Sequence, residues 1–259
     1  MRVAEIIRSL VLERGAGAPV RRAQVGLIYC AVQLETGTTG VAFTFPGQRS
    51  EQPCGGGLSG QGHLAGRKAE ELVEHLGSED LVSSALALAT ANALIADSSI
   101  ESQATPGDVL DQLDIREGDR LCMVGCFLPV LEKLKMASVQ VTAVDQAAKP
   151  GAEPAENSER LLPESQVAII TGTSIINNTI DTVLDLAAGC REVAILGPST
   201  PLLPEAFRGL PVSCLSGVRV DEPDAVFRII GEGGGFRFFK GHTTKLNIRV
   251  SENPGARNV

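Results

Sequence analysis

The sequence lacks the features that mark several common functional classes. Its 23 Lys and Arg are outnumbered by 31 Asp and Glu, which gives a formal net charge of -8 and a pI near 5.0. A nucleic-acid-binding surface ordinarily needs clustered basic side chains, so we expect no nucleic-acid partner. The longest weakly polar stretch, 85–96, is much shorter than the roughly 20 residues that cross a bilayer. The N-terminal helical pattern is interrupted by charges, unlike a signal peptide. We therefore expect a cytoplasmic protein with no membrane segment.

Patterns typical of disulfide frameworks and metal sites are also missing. No two cysteines form a CxxC pair, so neither a disulfide scaffold nor a zinc ribbon is expected, and most thiols should be reduced and buried in the core. The three histidines show no helical metal-site spacing. Cys54 and His63 share the glycine-rich loop CGGGLSGQGHLAG. This pair is a weak signal for a zinc or copper site, and the alternative is a mobile gate or a disordered loop.

Catalytic signatures are scarce as well. The sequence has no GxSxG elbow, no GxxxxGK[ST] phosphate loop, and no serine or cysteine with an evident base nearby. The pattern therefore leaves open whether the chain catalyses a reaction.

Two regions with different patterns follow one another along the chain. Residues 1–97 contain helices and strand-forming segments at 24–33 and 41–45 around a TGTTG turn, which predicts a small α+β domain. Residues 98–118 are polar and predict a linker. In residues 119–259 strands and helices alternate, which predicts an α/β domain with a Rossmann-like parallel sheet. Its expected strands are 120–125, 139–144, 166–171, 192–197 and 212–216, and its expected helices are 128–136, 177–188, 202–208 and 222–231.

The turn TGTSIINNT follows the third strand of the second domain. It supplies uncharged hydrogen-bonding groups at the carboxyl rim of the expected sheet, where ligands bind in open α/β folds. The residues predicted to bind a ligand are Thr171, Gly172, Thr173, Asn177, Asn178 and Thr179. In the alternative interpretation, Thr171 closes the strand and an asparagine caps the next helix, with no ligand involved.

The turn GPSTP follows the next strand and predicts a second part of the same site. Gly197 permits an unusual turn, Ser199 or Thr200 can cap a helix, and Pro201 suits its first position. An exposed helix N-terminus would favour an anionic group. We therefore add Gly197, Pro198, Ser199 and Thr200 to the predicted ligand-binding residues. An ordinary capped helix is the alternative.

The turn GCFLP follows the first strand of the second domain, where a dinucleotide enzyme would carry GxGxxG. That fingerprint is absent. Gly125 nevertheless permits a close backbone approach, and Asp145 lies about 20 residues further on, where an acid can hold a ribose hydroxyl. A solvated turn aspartate is the alternative role for Asp145.

Several of these segments, in their order, resemble the family called "putative heavy-metal chelation", whose members are uncharacterised. The most specific are TGTSIINNT and GPSTPLLP, preceded by AGRKAEEL. The resemblance covers nearly the whole chain. It implies an N-terminal domain similar to the small domain of enolases, a Rossmann-like C-terminal domain, and a cleft between them that handles metals or metal chelates.

Our leading hypothesis is that the chain binds or processes a small anionic metabolite or a metal chelate in this cleft. Neither polar turn contains cysteine or histidine, which soft metals prefer, so a metal wrapped in an organic ligand fits better than a bare ion. A Rossmann-type enzyme that uses a nucleotide or nucleoside-containing cofactor is the alternative. In a third hypothesis the small-residue helix 85–96 packs against a second copy in a homodimer.

Overall fold

The computed structural model describes residues 2–15, 17–47, 62–97, 100, 102–136, 139–147 and 149–250. In the N-terminal region, an antiparallel sheet of order β1-β2-β3 packs against helices. The elements are α1 (Val3–Gly15), β1 (Val20–Val25), β2 (Tyr29–Leu34), β3 (Thr39–Phe43), α2 (Ala69–Val73) and α3 (Leu81–Ile95).

The segment 24–33, predicted as one strand, is divided between β1 and β2, because the chain reverses inside it. The backbone N–H of Gly26 donates to the Tyr29 carbonyl at 2.9 Å, which closes the turn between β1 and β2. A Cβ at Gly26 would lie 2.3 Å from the carbonyl oxygen of Ile230. Only glycine therefore allows this turn to press against a later helix. The hairpin turn between β2 and β3 is confirmed, with Gly37 at a φ of 93°.

Helix α3 is buried along most of its length because its backbone lies directly against the backbone of this sheet. A Cβ at Gly40 in β3 would lie 2.1 Å from the Ala89 carbonyl oxygen. The helix begins after Asp80, whose carboxylate accepts from the backbone N–H of Ser83 at 2.9 Å. Its small side chains allow this close approach between helix and sheet.

The rest of the chain forms a mixed α/β unit around an eight-stranded, mostly parallel sheet of order β4-β11-β10-β9-β8-β5-β6-β7. The strands are β4 (Thr105–Pro106), β5 (Arg120–Val124), β6 (Gln140–Asp145), β7 (Ala152–Pro154), β8 (Val167–Thr171), β9 (Glu192–Leu196), β10 (Cys214–Val220) and β11 (Thr243–Arg249). The helices are α4 (Leu128–Lys135), α5 (Ser158–Leu161), α6 (Ile180–Leu186), α7 (Pro223–Gly231) and α8 (Phe236–Phe239).

The six strands from β7 to β10 are parallel, and their order corresponds to 3-2-1-4-5-6 counted from β5. This is the order of a doubly wound sheet, in which the chain changes direction between β5 and β8. The expected parallel α/β sheet is therefore confirmed. Strand β11 pairs antiparallel with β10, and β4 pairs antiparallel with β11, so these two strands extend the sheet at the β10 side.

One predicted helix of this unit, 202–208, is wrong. The segment after β9 runs without regular structure to a 3₁₀ turn at Pro204–Phe207. Thr200 precedes Pro201 and Leu203 precedes Pro204, and a residue before proline is disfavoured in the helical region. The predicted helix 177–188 is shorter, since a 3₁₀ turn at Gly172–Ile175 comes first and α6 begins at Ile180.

A large hydrophobic core cluster joins the two regions. It contains α3 and α1 side chains together with Ile170 of β8, Ile176 and Leu203. In the part of the chain that the structure describes, no helix has both the length and the apolar character needed to span a membrane.

Candidate functional site

The turns after β5 and β8 meet at the point where the sheet changes winding direction. Gly125 has a φ of 91°, and a Cβ there would lie 2.8 Å from Cβ of Thr171. A side chain at position 125 would therefore be strained in its backbone and would collide with Thr171. The structure thus brings together two of the predicted site residues.

The polar groups of the turn after β8 mostly bond to one another. Thr171 accepts from the backbone N–H of Thr173 at 3.3 Å, and the two hydroxyls lie 2.9 Å apart. The Ser174 hydroxyl donates to the Thr171 carbonyl at 2.7 Å, and Thr179 donates from its hydroxyl to Asn177 at 2.8 Å. These bonds explain how a polar sequence closes a compact turn. Thr171, Thr173, Asn177 and Thr179 stay partly exposed.

The turn after β9 lies directly beside this turn, as the sequence predicts. A Cβ at Gly172 would lie 2.7 Å from Oγ1 of Thr200 and 2.8 Å from its backbone nitrogen. Gly197 has a φ of 121°. A Cβ at Gly197 would lie 3.5 Å from Cε1 of the Phe127 ring. The predicted exposed helix N-terminus is wrong, because no helix follows GPSTP and Pro198, Ser199 and Thr200 are buried.

Both turns also fasten the N-terminal region to the sheet. The Ser199 hydroxyl accepts from the backbone N–H of Phe43 at 3.0 Å, and the Ser84 hydroxyl donates to the Ile176 carbonyl at 2.9 Å. Asn178, at a φ of 59°, donates from its amide to the Gly77 carbonyl at 3.0 Å. Sequence reasoning missed this role, because hydrogen bonds over such sequence separations leave no local pattern.

The carboxylate of Asp145, at the end of β6, is occupied by neighbouring groups. It accepts from the backbone N–H of Cys126 at 2.8 Å and of Ala147 at 2.9 Å, and it pairs with the Lys149 ammonium at 2.7 Å. Burial opposes its ionisation, but these donors outweigh burial and hold the pKa of Asp145 below its usual value. Asp145 thus connects the turn after β5, through Cys126, with the turn after β6, through Ala147. A ribose contact stays a prediction.

A cavity of about 160 Å³ lies where the end of α3 meets the turn after β9 and strand β10. Its walls are mainly aliphatic, and polar groups stand at a few points. The lining residues are Asn92, Ile95, Ala96, Asp97, Ile100, Thr200, Leu202, Val218, Arg219 and Leu246. Of the residues predicted to bind a ligand, Thr200 is the one that lines this cavity.

Two residues of the cavity wall each carry a buried polar atom that has no hydrogen-bond partner among the residues that the structure describes. Oγ1 of Thr200, a residue only 3% exposed, is buried and unpaired, and so is Oδ1 of Asn92. The other end of the Asn92 amide donates to the carbonyls of Val41 at 3.1 Å and Ser199 at 3.4 Å, which fixes its orientation. Buried polar atoms normally have partners, so both atoms point to a missing ligand or solvent molecule.

Asn92 was missed by sequence reasoning, although one signal could have found it. It is an amide near the end of the otherwise small and apolar helix LVSSALALATANALI. A polar side chain that enters an apolar environment usually has a specific partner there.

Four of the cysteines that the structure describes are poor candidates for binding a soft metal at neutral pH. Burial raises the pKa of Cys30 and Cys122 to about 12, and that of Cys190 and Cys214 to about 11, so these thiols stay protonated. Among the residues that the structure describes, no three His, Cys, Asp or Glu side chains gather closely enough to hold a metal ion. Of the predicted Cys54 and His63 pair, Cys54 lies outside the described residues and His63 is exposed.

Comparisons with known proteins match both regions to family models of the same description. A family model described as "Putative heavy-metal chelation" (DUF364) matches residues 108–249, and a second model of the same description (DUF4213) matches residues 8–95. An uncharacterised protein of Methanocaldococcus jannaschii is 27% identical over 192 residues, which cover 71% of this chain and 73% of that protein.

Two crystal structures of DUF364 proteins of unknown function are similar in fold. The protein of Desulfitobacterium hafniense is 22% identical with a TM-score of 0.80, over 95% of this chain and 98% of that chain. The protein of Pyrococcus horikoshii is 23% identical with a TM-score of 0.83, over 96% and 100%. Both share the mixed α/β architecture. The predicted likeness of the N-terminal domain to enolases stays a prediction.

Proposed function

Because the chain belongs to the DUF364 family, described as "Putative heavy-metal chelation", we propose that it binds a small organic ligand, delivered as a metal chelate, in the cavity between α3 and the turn after β9. This proposal keeps the predicted interdomain location. It moves the centre of the site from the exposed parts of the two polar turns to Thr200 and the end of α3.

The unpaired atoms of the cavity carry the proposal. A buried hydroxyl or amide oxygen without a partner costs about 1–3 kcal/mol, and a ligand that supplies the partner recovers this energy on binding. Oγ1 of Thr200 and Oδ1 of Asn92 belong to residues that line the same cavity. Two such atoms in one cavity fit a binding site better than an ordinary gap in packing.

The chemistry of the wall supports a chelate over a bare ion. The lining offers one amide, one hydroxyl, Asp97, Arg219 and aliphatic side chains, without cysteine or histidine. A soft metal ion would prefer thiolate or imidazole ligands. A metal that arrives with its own organic donors needs only hydrogen bonds and apolar contacts from the protein. Asp97 is exposed, so the cavity lies near the surface and the metal can stay at its mouth.

Thermal unfolding of the purified full chain tests this proposal. The probes are ferric citrate and the nickel complex of histidine as chelates, with nickel chloride and zinc chloride as bare ions. We expect a chelate to raise the unfolding midpoint, because a ligand present at 100 times its Kd stabilises the native state by about 2.7 kcal/mol. The bare ions should leave the midpoint unchanged.

A matched pair of variants locates the binding. Val218→Phe places a ring in the cavity, whereas Val220→Phe makes the same change at a partly buried position of β10 outside it. We expect Val218→Phe to abolish the chelate response and Val220→Phe to retain it. Equal responses in both variants, or no response of the wild type to either chelate, would contradict the proposal.

The alternative function, a Rossmann-type enzyme with a nucleotide cofactor, gains no support from the comparisons. The matched families are described as "Putative heavy-metal chelation", and the relative from Methanocaldococcus jannaschii is an uncharacterised protein. The structure also gives Asp145 a local role, since its carboxylate already holds two backbone N–H groups and Lys149.

A further inference from the structure

We infer that the part of the ligand inside the cavity is a compact aliphatic group that carries an N–H or O–H donor directed at Asn92. This inference rests on the proposed function, because it specifies the chemistry of the same site. It follows from three properties of the cavity: the polarity of the unpaired atoms, the composition of the wall and the volume.

The unpaired amide oxygen sets the polarity of the ligand. Because Nδ2 of Asn92 donates to two backbone carbonyls, a rotation of the amide would face its oxygen toward those carbonyls and lose both bonds. Oδ1 is therefore held as the free end, and it can only accept. A ligand group that is itself only an acceptor would repel Oδ1, whereas a hydroxyl, an amide N–H or an ammonium would complement it.

The second unpaired atom tolerates either polarity. Oγ1 of Thr200 can donate or accept, and Thr200 is held in place by its contact with Gly172 and by its backbone N–H, which donates to the Gly197 carbonyl at 2.9 Å. A single ligand hydroxyl could thus donate to Asn92 and accept from Thr200. A pure acceptor could satisfy only Thr200.

The walls and the volume set the body of the ligand. Ile95, Ile100, Leu202, Val218 and Leu246 supply aliphatic surface. A volume of about 160 Å³ holds a group of roughly benzene size, because a cavity of about 150 Å³ binds benzene. A charged group of high hydration would lose its water against these side chains, so a branched or cyclic aliphatic body fits best.

Two six-membered-ring probes of nearly equal size test this chemistry. Cyclohexanol offers a donor on an aliphatic ring, whereas tetrahydropyran offers only an acceptor. Titration is followed through the NMR methyl signals of Ile95, Ile100 and Leu202 in the full chain. We expect cyclohexanol to shift these signals saturably with a Kd about tenfold lower than that of tetrahydropyran, as one additional hydrogen bond would provide.

A conservative variant tests the role of the threonine hydroxyl. Thr200→Val keeps the side-chain shape and removes Oγ1, so it should weaken cyclohexanol binding severalfold. Cyclohexanol should still bind with a lower Kd than tetrahydropyran. Thr90→Val is the control, because the Thr90 hydroxyl is buried in α3, bonded to the Leu86 carbonyl at 2.8 Å, and away from the cavity lining. It should not change either Kd.

The outcomes separate this inference from the proposed function. Equal binding of the two probes would overturn the inference even if a chelate binds in a manner that Val218→Phe abolishes. Preferred binding of cyclohexanol without any chelate response would support the inference. It would contradict the part of the proposed function that says the ligand arrives as a metal chelate. Methyl signals that respond to neither probe would overturn the inference, because the two unpaired atoms would then be served by water alone.

Discussion

Gly172 lies where the two polar turns touch, and its missing side chain keeps them together. We predict that Gly172→Ala lowers the free energy of unfolding by about 1–3 kcal/mol, because the new Cβ would overlap backbone and side-chain atoms of Thr200. Gly189→Ala is the control, since no heavy atom lies within 4 Å of its added Cβ. Urea denaturation of both variants measures the difference. Equal stability of the two variants would show that the turns are not in contact.

The buried thiols make a second prediction at the residue scale. Cys30, Cys122, Cys190 and Cys214 stay protonated in the folded protein, with pKa values of about 11 to 12. In the unfolded chain they ionise from about pH 8.5, so the stability they contribute is present below that pH and is lost as the pH rises toward the folded pKa values. Chemical denaturation between pH 8 and 10 should show stability falling with pH. Cys30→Ala should reduce the slope, and a flat profile for the wild type would contradict the assignment.

At the scale of elements, one carboxylate of α6 binds the N-terminus of α1. Asp181 accepts from the backbone N–H of Val3 at 3.0 Å, at the positive end of the α1 dipole. We predict that Asp181→Ala speeds hydrogen exchange in the first turn of α1 by about fivefold, as loss of a bond worth about 1 kcal/mol implies. Asp185→Ala, an exposed position of the same helix, should leave that exchange unchanged. The same effect in both variants would mean that Asp181 does not anchor α1.

The elements also show what the sequence could predict. The parallel strands were predictable because short β-branched runs ended by turns repeat along the second region, and each run forms a strand. The short strands β4 and β7 were not, because two or three residues carry no periodicity. The helix at 202–208 was predicted wrongly because Pro201 was taken as a helix start. Pro204 follows shortly afterwards and disfavours helical backbone at the preceding residue, Leu203.

Of the candidate site, the contact between the two polar turns was predictable from the sequence, whereas the cavity was not. The carboxyl ends of adjacent parallel strands meet at one rim, so the contact between the turns at Gly172 and Thr200 followed from strand order. The cavity did not, because Asn92 reaches it from the other region of the chain. Only the packing of α3 against the turn after β9 brings Asn92 beside Thr200.

At the scale of the whole molecule, the shared core predicts that both regions unfold together. The chain has one tyrosine and no tryptophan, and Tyr29 packs edge-on against Phe43 of β3 and Phe239 of α8. Its fluorescence therefore reports on the junction, whereas far-ultraviolet circular dichroism reports on all helices. We predict coincident thermal transitions by the two methods. A fluorescence transition well below the circular-dichroism transition would indicate that the N-terminal region separates first.

The most direct test of the ligand site is a crystal structure of the full chain purified without denaturation. We predict electron density other than water between α3 and the turn after β9, with a donor atom about 2.7–3.2 Å from Oδ1 of Asn92. A cavity that holds only ordered water, with a ligand bound elsewhere on the molecule, would contradict the proposal.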